Sequence, residues 1–234
     1  MMRRSFAFLS ILLLLAAAGV LAQETESTIP ELSAFHEIIY PIWHTAYPEK
    51  DIAALKGFVP QINELAAKIY GAKLPGILRE KEAKWQAGLA EFRKSVDTYN
   101  AAAKGTDDQA LLDAAEKLHM RYEMLVRTMR PVLAEMDAFH KVLYVVYHKA
   151  LPEKNWSEVR KAAPEMKAKA EAIAAAKLSK RLEPKTDAFR SAANELVQAA
   201  GELAGLEANA DGAALEAAVQ KIHAKYQALE KIFE

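Results

Sequence analysis

The stretch AFHEIIYPIWHTAYPEKD at 34–51 reappears as AFHKVLYVVYHKALPEKN at 138–155, 104 residues further on. KLHMRYEML at 117–125 reappears as KIHAKYQAL at 221–229 with the same offset of 104. The register holds without a gap from Glu31–Arg130 against Glu135–Glu234, so Pro60 meets Pro164 and Trp85 meets Phe189. An internal repeat of this length means two copies of one structural unit, and equal offsets at both ends mean that loop lengths were kept. All six histidines fall into the repeat: His36 with His140, His44 with His148, His119 with His223. Neighbouring polar positions drift instead, with Glu37 aligned to Lys141 and Glu123 to Gln227.

Each copy reads as helix throughout. Alanine, lysine, glutamate and leucine dominate, glycine is sparse at 9 of 234 residues, and no segment alternates with period two. The pattern predicts four helices in the first copy, at about 31–47, 52–71, 78–104 and 108–129. Pro48 comes just after the first. Asp51 is a fitting N-cap for the second, as is Asn155 in the other copy, with Glu158 completing a capping box. That role also accounts for the Asn155-Trp156-Ser157 triplet, which otherwise matches a glycosylation sequon. Gly105 ends the third helix and Asp107 caps the fourth. Trp85, Leu89, Phe92, Val96 and Tyr99 step by four and three along the third helix. Leu111, Ala115, Leu118, Tyr122, Leu125 and Met129 do so along the fourth, and both stripes recur in the second copy. Such stripes are the seams of an up-down-up-down bundle. The expected architecture is therefore all-α: a tandem duplication of a four-helix unit, residues 23–130 and 131–234. Helix 1 has almost no polar face, which predicts burial on every side and packing of the two copies through their first helices. Pro60 and Pro164 are expected to kink or split helix 2, and Pro41 to kink helix 1 of the first copy only.

Residues 1–22 read as a secretory signal. Arg3 and Arg4 precede an apolar run from Phe6 to Ala18, and Val20-Leu21-Ala22 offers small residues for cleavage before Gln23. The expected location is periplasmic or secreted, with no membrane attachment after cleavage. Without these residues the chain carries 29 basic and 31 acidic groups, a balance that gives no footprint for nucleic acid or anionic lipid. A protein partner is compatible with it. The absence of cysteine excludes disulfides, thiolate ligands, iron–sulfur clusters and c-type haem attachment.

The histidines are what chemistry the sequence offers. His36, Tyr40 and His44 lie along one face of helix 1, with about 12 Å of axial rise between the two histidines. Counting from the shared end of the bundle, His36 and His119 reach nearly the same height, as do His140 and His223. These four are the expected metal ligands, imidazole suiting copper, zinc or iron. Tyr40, Tyr122, Tyr144, Tyr226, His44 and His148 stand around them as supporting groups. His119 comes next after the seam residue Leu118 and is expected to turn inward. Three readings stay open: a transition-metal site in each copy, a buried His/Tyr network without a ligand, and b-type haem between paired histidines. No Ser/His/Asp set, phosphate-cradling glycine loop or paired-carboxylate motif points to catalysis. Met120, Met124 and Met129 do not recur in the second copy and read as packing residues.

The layout resembles the periplasmic four-helix bundles of the cytochrome b562 and cytochrome c′ type, carried by unit length, export and the last-helix stretch from Asn100 through KLHMRYEML. The resemblance implies the bundle fold and haem binding. The chain departs from that pattern: it lacks Cys-x-x-Cys-His, its last-helix histidines lie mid-helix, and His36 or His140 would have to replace the methionine ligand on the first helix.

Overall fold

The computed structural model describes residues 24–207 and 209–233, so the expected signal segment lies outside the described residues. Among these residues all regular secondary structure is helical, without a strand. It divides into two compact units, one ending at Arg130 and the other starting at Pro131.

In the first unit, α1 (Pro30–Pro41) runs into a π-helical turn, Ile42–Ala46. Next come α2 (Ile52–Gly57), α3 (Val59–Gly71), a 3-10 turn at Gly76–Lys81, α4 (Glu82–Lys104) and α5 (Asp108–Met129). In the second unit, α6 (Ala134–Val145) runs into a π-turn at Val146–Ala150. Then come α7 (Trp156–Ala175), a 3-10 turn at Lys180–Lys185, α8 (Thr186–Ala204) and α9 (Gly212–Lys231). Corresponding elements start 104 residues apart, as the sequence register requires.

Local chemistry sets these boundaries. Asp51 and Asp107 accept hydrogen bonds from the amides of Ala54 and Ala110 at 2.9 and 3.0 Å, and Asn155 and Asp211 do the same for Glu158 and Ala214 at 3.2 and 2.8 Å. Each bond satisfies an amide that the first helical turn leaves without a partner. Lys50 and Lys154 adopt φ of 53° and 52°, the left-handed conformation that reverses the chain before each cap. Matching lysines and arginines tie the loops. Lys56 Nζ donates to Gly105 O at 3.1 Å, and its counterpart Arg160 donates to Glu207 O and Ala210 O at 2.9 and 2.6 Å. Lys81 reaches Thr128 O at 3.3 Å, and Lys185 bonds Ile232 O in the same way.

The seams are buried as the spacing predicts, from Trp85 to Tyr99 on α4 and from Leu111 to Met129 on α5. Phe35 enters this core, edge-on to Phe92 with centroids 5.1 Å apart and beside Tyr122 at 5.3 Å. Phe139 lies against Tyr226 at 5.5 Å in the equivalent place. Each fully buried phenylalanine contributes about 1.5–3 kcal/mol by leaving water. The tyrosine hydroxyls are used by the backbone: Tyr122 donates to Leu32 O at 2.8 Å and Tyr226 to Met136 O at 3.4 Å.

Three expectations need correction, and the split expected in helix 2 occurs in unit 1 alone. The first helix of unit 1 is not buried all round: Tyr40 is 55% exposed and His36 and Glu37 are open to solvent, which removes the argument for covering this helix on every side. Met120 and Met124 are 45% and 50% exposed, because they lie on the side of α5 away from Leu118, Tyr122 and Leu125; only Met129 packs. Pro41 does not set unit 1 apart, since the change from α to π geometry occurs at the same place after Val145, without a proline. Pro60 and Pro164 behave differently from each other. The first lies at the break between α2 and α3, while the second sits inside an unbroken α7. At that break Tyr99 donates to Leu55 O at 2.8 Å; its counterpart in the unbroken unit is Leu203, which has no hydroxyl to give.

Candidate functional site

The π-turns decide where the histidines go. In each, an amide bonds the carbonyl five residues back: Tyr47 to Ile42 and Asp51 to Ala46 at 2.8 and 2.9 Å, Leu151 to Val146 and Asn155 to Ala150 at 2.9 and 2.8 Å. Such a turn inserts a residue into the helical register and re-aims the side chains beyond it. His44 and His148 both lie inside it. The preceding residue, Trp43 or Tyr147, faces the last helix of its unit and carries the last-helix histidine flat on its ring. His119 stacks on Trp43 at 4.1 Å with 5° between planes, and His223 on Tyr147 at 3.8 Å with 7°. In unit 1, Tyr47 stacks on Trp43 as well, at 4.6 Å.

His148 approaches His223 edge-on, with ring centroids 6.3 Å apart at 89°. A ring nitrogen of each lies within 4.8 Å of the other. In unit 1, His119 interacts electrostatically with both His44 and His36, the former more strongly. Burial pushes the His119 imidazole below its ordinary pKa of 6.5, Glu123 opposes that shift, and His44, Arg127 and His36 add to it. A neutral imidazole is the form that binds a metal.

The other expected residues divide. His36 sits beside Tyr40 and Tyr122, at 6.0 and 6.4 Å, and His140 lies over Tyr226 at 4.8 Å. Tyr40 leans on His44 at 4.4 Å and Tyr144 on His148 at 5.0 Å. His119 does not turn into the seam but stays half-buried on its flank, toward the π-turn. His36 and His44 are exposed, so in unit 1 these histidines lie at the surface and not in a buried network. The flat stack was missed in the sequence, although its signal was present: an aromatic residue precedes both His44 and His148.

No protein-family model, curated protein or solved structure matches the chain.

Proposed function

We propose that this chain is an exported helical binding protein, made by tandem duplication of a four-helix bundle, with a histidine-based transition-metal site in each copy. The observation that carries the reading is the recurrence of one arrangement at the same place in both units. A π-turn presents a histidine, and the residue before it holds the last-helix histidine flat against its ring. Stacking fixes the plane of His119 and His223, and with it the directions of their ring nitrogens. Of the ligands expected from sequence, these two remain. Their partners are better read as His44 and His148 than as His36 and His140, because a His148 nitrogen already stands within 4.8 Å of one on His223. Two metal–nitrogen bonds of about 2.1 Å span at most about 4.2 Å, so a small side-chain rotation closes the site. Imidazole pairs of this kind suit copper and zinc, with water or a further group filling the remaining positions.

Calorimetric titration of single variants with Zn2+ or Cu2+ tests the pairing. His44→Ala and His119→Ala should each remove the first-unit site, and His36→Ala should leave both sites intact. Loss in His36→Ala with none in His44→Ala would restore the pairing drawn from helix heights. Unchanged binding in both His119→Ala and His223→Ala would sink the reading altogether.

A further inference from the structure

Away from the π-turn, unit 1 has a second feature that the histidine pairs leave unused. A cleft of about 260 Å³ opens between the start of α1 and the end of α5. Leu32, Val126 and Met129 line it as an apolar floor, and Ser33, His36, Glu37 and Arg130 bring polar groups to it. Tyr122 contributes its ring, its hydroxyl being committed to Leu32 O at 2.8 Å.

Two of these groups are opposite charges without an ion-pair partner among the described residues: the Glu37 carboxylate and the Arg130 guanidinium. Unit 2 treats the same positions differently. Glu37 is replaced by Lys141, and Ser33 by Asp137, which neutralises that lysine at 3.3 Å. The floor residue Val126 becomes Glu230, which puts a carboxylate where unit 1 has an apolar wall. Unit 1 therefore keeps an apolar floor with an anion and a cation that form no ion pair among the described residues, whereas unit 2 pairs Lys141 with Asp137 and carries Glu230 in place of Val126.

We infer that this cleft binds a small zwitterion with an apolar side chain, an aliphatic α-amino acid: carboxylate toward Arg130, ammonium toward Glu37, side chain on the Leu32–Val126–Met129 floor. A guanidinium recognises a carboxylate through paired, charge-assisted hydrogen bonds. At about 260 Å³ the cleft lies just below the about 300–1,000 Å³ that drug-sized molecules occupy, which suits a smaller molecule. This inference does not depend on the metal reading.

The test uses the mature full-length chain in buffer containing a chelator. Binding of leucine is compared by calorimetry with binding of 4-methylpentanoate, which lacks the ammonium, and isopentylamine, which lacks the carboxylate. Leucine should bind saturably and the two truncated compounds about tenfold or more weakly. Arg130→Ala and Glu37→Gln should each weaken leucine by a similar factor, while Lys141→Gln in the other unit should change nothing. Both targeted residues are exposed, so folding of the variants can be verified by circular dichroism. Absence of saturable leucine binding, equal binding of all three compounds, or undiminished binding by Arg130→Ala would overturn the proposal.

Discussion

Two tyrosines of unit 1 show how a single hydroxyl changes sign with its surroundings. The Tyr70 hydroxyl is buried without a hydrogen-bond partner among the described residues, and burial pushes its pKa up to about 12; the Arg93 guanidinium lies 3.8 Å over the ring centroid. Tyr70→Phe removes a polar atom that gains nothing from the fold and keeps the ring for Arg93. Chemical denaturation should show stability unchanged or raised by up to about 1 kcal/mol. Tyr99→Phe removes the donor to Leu55 O and should cost about 1 kcal/mol in the same assay. His119 gives the residue-scale pH effect. Its folded pKa is depressed, so the unfolded chain binds this proton more readily and stability rises with pH. The contribution is lost as pH falls through the unfolded value of 6.5 and becomes constant below the folded one. Melting temperatures from pH 7.5 to 5 should therefore fall less steeply for His119→Gln; an unchanged slope would mean that burial does not hold the imidazole neutral.

At the scale of elements, the helix ends and seams were legible because they rest on local chemistry. Asp51, Asp107 and Asn155 cap where their side chains predict, and α5 spans the residues that its apolar steps mark. The π-turns were not legible. Their backbone bonds reach one residue further than in an α-helix, and Ile42–Ala46 and Val146–Ala150 share no composition that demands it. Treating helix 1 as regular placed His36 level with His119 and sent His44 a turn and more beyond. The close approach of helices is equally hidden in sequence. A Cβ on Gly212 would meet the Trp156 indole at 2.6 Å, so the first turn of α9 fits under that ring only without a side chain. Gly212→Ala should lower stability by about 1–3 kcal/mol, although alanine is the better helix former. A more stable Gly212→Ala protein would show that the indole moves aside freely.

At the scale of the whole molecule, the repeat gave more than the fold. Comparing two copies within one chain separates what persists from what drifts: the π-turn, the left-handed Lys50 and Lys154, and the stacked histidine persist. The charges around α1 drift, among them those beside the cleft at His36 and Glu37. The recurring features are proposed to bind metal, and the cleft of unit 1 a zwitterion. The most direct measurement of the metal-site proposal is equilibrium loading of residues 23–234 with Zn2+ or Cu2+, quantified by elemental analysis after removal of free metal. Two equivalents per chain are expected, one lost in His119→Ala and the other in His223→Ala. Metal-free protein after loading, or two equivalents retained by the double variant, would contradict it.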